Sequence, residues 1–362
     1  MLKIKYLSFF LMFTLLCFSP LSWALNILFI NPAQKGQPNW DKAQELVAIA
    51  AQQLNIKVIY KRVNEKKRSA LYPIFEALED KSTPIDAVIF MASSGDDNAL
   101  LFSTLEQLQL PFITLENSLD ERDYKNLGYP REKFSYWLTQ KGFNDHESGY
   151  KLALSLFKEA ERMFPPPIEL VALSGRHDEI SALRNQGLLD ALEETSEVKL
   201  NQITHTNWSQ ATSKAKTLKL LKRFPDTKII WCASDSNALG AHQALVEMGL
   251  RPGIDVIIGG VDWQLDIFPL MLKGEYHVSA GGQVLAAASA IVYLYDYFNG
   301  VNKQLLANMP NIQVDLVTQH DPLLVHQLQQ ANWNNINFKK MSILTTSEAA
   351  FFPTGIKLLI KD

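Results

Sequence analysis

The sequence predicts an α/β fold of two doubly wound parallel-sheet lobes joined by a hinge. Three observations carry this prediction. Short β-branched runs recur along the chain and are apolar on both faces, as suits parallel strands buried beneath helices. Amphipathic stretches separate these runs in strict alternation, which argues open parallel sheets with right-handed crossovers. The runs are also too many for one sheet, and the series breaks near residues 136–144, where YWLTQKGFND precedes a long helical stretch.

The strand runs are NILFI (26–30), IKVIY (56–60), DAVIF (86–90), PFITL (111–115), ELVAL (169–173), KIIWCAS (228–234), DVIIGGVD (255–262) and IQVDLVT (312–318). Between the first two, DKAQELVAIAAQQLN (41–55) places Ala43, Leu46, Val47, Ala50 and Leu54 on one helical stripe, the mark of a helix with one core-facing side. Comparable helices fit 97–109, 144–163, 180–194, 210–223, 237–249 and 282–298. A strand near 276–280 followed by a helix, then the run at 312–318, leaves late elements to return to the first lobe and create several crossings. The expected division is a first lobe over 25–140, completed by part of 281–318, a second lobe over 141–280, and an extension over 319–362. Sheets of this kind bind ligands at the carboxyl ends of their strands, so two facing lobes make a cleft between their loop edges.

Composition narrows the function. Of 362 residues, 47% are hydrophobic and 20% charged, which excludes a disordered or collagen-like chain. Lys+Arg 35 against Asp+Glu 38 gives a net charge of −3 with no long basic run, so no broad nucleic-acid footprint exists. The N-terminus reads as an export signal: Lys3 and Lys5, an apolar run from Leu7 to Phe18, Pro20, and a cleavage site after Ala24. An apolar run of about 12 residues falls short of the roughly 20 that span a bilayer. Leu16 stands where a lipidation signal at Cys17 needs a small residue. Cleavage leaves Cys232 alone, so the exported chain forms no internal disulfide and relies on its cores.

No catalytic constellation is present: GxSxG, HExxH, GxxxxGK and CxxC are all missing. The seven histidines, His146, His177, His205, His242, His277, His320 and His326, show no metal-ligand spacing on a shared helix, and His320 and His326, six apart, are a weak pair. No cofactor, metal or catalytic residue is therefore expected.

The stretch WCASDSNALGAHQALVEMGLRPGIDVIIGGVD, Trp231 to Asp262, resembles the type I periplasmic solute-binding proteins, the ribose/galactose group together with the autoinducer-2 receptor. The likeness covers roughly Asn26 to Thr318. A strand ends at Ser234-Asp235, a helix opens at Asn237-Ala238-Leu239-Gly240, and Gly249 closes it. The resemblance implies ligand contacts from Ser234, Asp235 and, after the next strand, Asp262; Asp235 reads equally as the cap of its helix.

NPAQKGQPNW, Asn31 to Trp40, is similar to the family's first ligand loop, with Trp40 as a stacking aromatic and Gln37 and Asn39 as polar contacts; Trp40 also fits a core position. ALSGRHDEISALRNQGLLDAL, Ala172 to Leu192, is similar to the segment that sends an arginine into the cleft, here Arg184, which also reads as a surface arginine. Ser93 and Ser94 match small polar loop positions. Glu116-Asn117 falls where sugar binders often carry an acid followed by arginine or asparagine. Where the group often presents a glutamine or asparagine, this chain has Gly281-Gly282, offering backbone donors or room.

The resemblance implies a monomeric periplasmic protein that closes around a small polar solute, a sugar, polyol or autoinducer-2-like molecule, and presents it to an ABC transporter permease. A sensor working through a membrane histidine kinase or cyclase is the alternative, and an exported enzyme a distant third. A repressor of this fold needs an N-terminal helix-turn-helix, and the export signal occupies that place. No nucleic-acid partner and no membrane insertion after signal cleavage are expected.

Overall fold

A computed structural model describes residues 25–63, 69–92, 97–116, 119–330, 333–345 and 355. The predicted export signal over 1–24, the loop residues Ser93, Ser94 and Asn117, and most of the extension beyond 345 lie outside the described residues.

The first lobe is built on five parallel strands: β1 (Asn26–Asn31), β2 (Lys57–Arg62), β3 (Ala87–Met91), β4 (Phe112–Leu115) and β5 (Trp137–Lys141), in spatial order β2-β1-β3-β4-β5. The second holds β6 (Ile168–Ser174), β7 (Val198–His205), β8 (Thr227–Cys232), β9 (Ile257–Val261), β10 (Val278–Gly281) and β11 (Asp315–Thr318), ordered β11-β10-β9-β8-β6-β7. Read from β7, the second sheet repeats the order of the first and adds β11, which runs antiparallel to β10. Each sheet therefore has a point where its winding reverses, beside β1 and β6, and both open their carboxyl edges to one cleft.

Helices cover the sheets: α1 (Pro38–Gln53), α2 (Leu71–Glu79), α3 (Asp97–Gln107), α4 (Glu121–Leu127), α5 (Asp145–Met163), α6 (Glu179–Leu192), α7 (Gln210–Arg223), α8 (Asp235–Glu247), α9 (Phe268–Leu272), α10 (Ala286–Phe298), α11 (Lys303–Ala307) and α12 (Pro322–Gln329). The stripe predicted for α1 is buried at Ala43, Leu46, Val47, Ala50 and Leu54. The helix starts earlier than predicted because Pro38 suits its first turn, where a missing N–H costs nothing. Asn144, Asp178, Ser209 and Ser234 each accept a backbone N–H from the first turn of α5, α6, α7 and α8.

The segment predicted as a plain break, 136–144, supplies an edge strand of the first lobe, β5, before crossing over residues 142–144. The chain crosses back between β10 and α10, which packs against α1, and crosses again before β11. Phe143 and Ile312 bridge two of these crossings. Gly282 is required here: its φ is 129°, and a Cβ would lie 2.6 Å from the Gln313 carbonyl oxygen and 2.9 Å from Ile312.

After α12, which packs on α9 and β11 in the second lobe, the extension returns to the first. Ile336, Phe338 and Met341 are buried there, in a segment that packs against α1 and α10. Gln53 fastens it through Nε2 to the Ile336 carbonyl (2.6 Å) and Oε1 from the Phe338 N–H (2.8 Å). Buried Asp296 accepts from Ser342 Oγ (2.5 Å) and Ile343 N (2.9 Å).

Candidate functional site

Five element ends meet in the cleft. Glu116 follows β4 in the left-handed region, with φ 61°, and is buried. Asp145 opens α5, the first helix after the crossing, and is fully buried. Arg184 lies in the second turn of α6, Asp262 follows β9 with φ 132°, and Gln283 follows β10.

Arg184 organises the group. Its Nε donates to Asp145 Oδ1 at 2.8 Å, its Nη1 donates to the Ala233 carbonyl at 2.6 Å, and the same Nη1 stands 3.7 Å from Asp262 Oδ1. The guanidinium also lies 5.8 Å from the Trp208 ring, itself held by a bond from Nε1 to Asp178 Oδ2 (3.3 Å). Gln283 Nε2 donates to Asp262 Oδ1.

One guanidinium thus faces three carboxyl groups from both lobes. Burial, reinforced by the charge of Asp145, pushes Glu116 up to about 8, although Arg184 pulls the other way. Burial likewise pushes Asp262 up to about 8 against the pull of Arg184. Near neutral pH these two groups can donate as acids or accept as carboxylates.

The first lobe adds Asn39, Trp40, Ala43 and Leu115, which with Glu116, Gln283, Val284 and Ala287 line a cavity of about 10 Å³, room for about one water. Asn39 Oδ1 and Gln283 Oε1 are buried without a hydrogen-bond partner among the described residues. Trp40 is half-buried, packing on the core with one part and lining the cavity with another. Gln37 precedes α1, is exposed, and makes no cap bond through its side chain.

The strand-end motif at 234–235 is arranged differently from its expected form. Ser234, not Asp235, caps α8: its side chain accepts from Asn237 N at 3.2 Å. The buried Asp235 carboxylate accepts from Tyr276 Oη (2.6 Å), Ser279 Oγ (2.9 Å) and Gln264 N (3.0 Å). Burial raises Asp235 to about 6 even so. With its oxygens filled by neighbouring strands, this carboxylate fastens the sheet edge behind the cleft. Gly281 also has a packing reason: a Cβ there would lie 2.3 Å from the Trp263 ring. An amide does stand beside the glycine pair: Gln283 follows it directly and lines the cavity. Asp145, Trp208 and Gln283 belong to none of the motifs of the sequence; Gln283 alone lies next to one, the glycine pair.

Two repeated α/β lobes with a polar cleft at their facing carboxyl edges define a two-lobed binding protein of type I architecture. Residues 27–300 match the sequence profile described as the periplasmic binding protein domain, and the chain belongs to that family. It is 23% identical over 229 residues to a galactofuranose-binding protein of Escherichia coli (strain K12), covering 59% of this chain and 68% of the relative. A D-apiose import binding protein of Actinobacillus succinogenes is 30% identical over 121 residues, 33% of this chain and 36% of that one. A solved periplasmic sugar-binding protein from Pseudomonas fluorescens superposes with a TM-score of 0.79 at 22% identity, over 93% of this chain and 99% of the other, which shows the shared fold. Among the described residues no helix is long and apolar enough to cross a membrane.

Proposed function

We propose that this chain is a periplasmic sugar-binding protein that closes around a neutral monosaccharide and presents it to the permease of an ABC importer. The observation that carries the reading is the convergence of Glu116, Arg184, Asp262 and Gln283 from both lobes on one buried cleft. A sugar offers hydroxyls that each donate and accept. Carboxyl groups, a guanidinium and unpartnered amide oxygens of Asn39 and Gln283 match both halves of that chemistry. Trp40 offers an aromatic face to the ring C–H groups. Asp145 already matches the charge of Arg184, and any ionised fraction of Glu116 or Asp262 repels a second anion, so sugar acids and sugar phosphates are poor candidates.

Ligand contacts on both lobes favour the closed arrangement over the open one, and that shape is what a membrane partner reads. Asp235 and Ser234 act behind the ligand surface. The names of the relatives, sugar binders and one import protein, weight the reading toward a permease over a membrane sensor. Among the described residues of the cleft no nucleophile stands beside a base, and binding without turnover is the activity we assign. A thermal-shift panel of neutral aldoses in pyranose and furanose forms tests it, with sugar acids, purines and autoinducer-2 alongside. At 100 times its Kd a ligand adds roughly 2.7 kcal/mol, a shift of several degrees. A neutral sugar should give that shift; a response to sugar acids alone, or none, overturns the reading.

A further inference from the structure

At the edge of the second sheet opposite the cleft, three side chains far apart in sequence come together: Glu159 from the last turns of α5, His277 just before β10, and His320 just after β11. The antiparallel register, with Val278 opposite Thr318, brings the start of β10 to the end of β11. Gln319 N donates to the His277 carbonyl at 2.9 Å and fixes the two histidines on one edge. One ligating atom from each of the three residues lies within 4.8 Å of the others.

The three side chains stand close enough to share one ion, and two of them are already in hydrogen-bond contact. His320 Nε2 and Glu159 Oε2 are 3.1 Å apart; a tetrahedral ion with bonds of about 2.0–2.1 Å spaces its ligands roughly 3.3 Å apart. Glu159 and His277 are buried, 6% and 3% exposed. His277 is poorly held by the protein: Nδ1 has no hydrogen-bond partner among the described residues, and Nε2 has only a 3.5 Å contact with Ser155 Oγ. Arg162 grips the carboxylate from outside, with Nη2 donating to Glu159 Oε1 at 2.7 Å and Nε donating to Oε2 at 3.2 Å, a contact that orients the carboxylate and leaves Oε2 a second lone pair for an ion. His320 is half-exposed and leaves a path for an ion from solvent.

We propose that Glu159, His277 and His320 form a binding site for a divalent transition-metal ion of the zinc type, completed by water. Two imidazoles and one carboxylate suit Zn²⁺, Ni²⁺ or Cu²⁺ and not Mg²⁺ or Ca²⁺, which prefer all-oxygen shells. The ion would tie α5, β10 and the turn after β11 together on the side of the lobe away from the cleft, so it is independent of sugar binding.

The test is calorimetric titration of the metal-free full chain with Zn²⁺, paired with the visible absorption of the Co²⁺ form. The expected result is one ion per chain and a Co²⁺ spectrum of low coordination number. His320→Ala, at a half-exposed position, and Glu159→Gln should each weaken binding at least tenfold, and His277→Ala should abolish it. His205→Ala is the control, because His205 and His177 stack with ring centres 3.8 Å apart elsewhere on the same lobe. Absence of stoichiometric binding overturns the proposal. So does binding that survives His320→Ala and Glu159→Gln, or is lost with His205→Ala.

Discussion

Arg184 Nε donates to Asp145 Oδ1 at 2.8 Å, and both side chains are buried. Asp145 is the first helical residue after the chain crosses between lobes, so the arginine of the cleft is oriented by the hinge end of the second lobe. The pair is desolvated, and removing one partner strands the other. Arg184→Ala leaves Asp145 and Asp262 without their guanidinium and should lower stability by about 3–5 kcal/mol in urea unfolding. Arg184→Lys, which keeps the charge but not the planar fork, should fall between. An unchanged urea midpoint in Arg184→Ala would remove the arginine from the centre of the site.

Asp235 separates a bracing role from a ligand role. Asp235→Ala deprives Tyr276, Ser279 and the Gln264 N–H of their acceptor and should cost about 2 kcal/mol or more of stability. Sugar affinity at a temperature where the variant is folded should change less than in Asp262→Ala. Lost affinity with full stability would return Asp235 to the ligand surface.

The cleft acids give stability a definite pH dependence. Glu116 and Asp262, both raised to about 8, titrate near 4 once unfolded. Between those values the folded protein binds more protons than the unfolded, so their contribution is complete below about pH 4 and lost as pH rises through 8. His277, which burial lowers to about 4, acts in the opposite sense: its contribution is present above its unfolded value of about 6.5 and lost as pH falls. The melting temperature without sugar should therefore decline from pH 6.5 to 8, and Glu116→Gln should flatten that decline. An equally steep decline in the variant contradicts the burial argument.

Two residues three positions apart at the start of α1 should behave oppositely. Trp40→Ala should weaken sugar binding at least tenfold, about 1.4 kcal/mol, through loss of the cavity wall. Gln37→Ala should leave the Kd unchanged, because that side chain is exposed and makes no cap bond. Titration calorimetry of both variants decides it, and the reverse order would move the site along the loop.

The lobes were readable because central parallel strands are buried on both faces: NILFI, DAVIF and ELVAL are continuous apolar runs with no competing pattern. β5 and β7 carried no such signal. WLTQK has two apolar residues, and VKLNQITH, an edge strand only partly buried, alternates apolar with polar. The placement of Arg184, Glu116 and Asp262 in the cleft, which the proposed ligand contacts rest on, was legible because the carboxyl ends of strands and the helix starts after them face the cleft in a doubly wound sheet. Asp145 was not, since an acid in a first helical turn is ordinary dipole chemistry. Its partner sits 39 residues away. The strand partners of Asp235 and the approach of His320 to His277 depend on the pairing of β9, β10 and β11, which no local pattern encodes.

The central claim is reversible binding of one neutral sugar between the lobes. The most direct measurement is calorimetric titration of the chain with the sugar that the thermal panel selects, followed by recovery and analysis of that sugar. The account predicts one site per chain, loss of binding in Asp262→Ala, and sugar returned chemically unchanged. Undiminished affinity in that variant, or a sugar recovered altered, would contradict it.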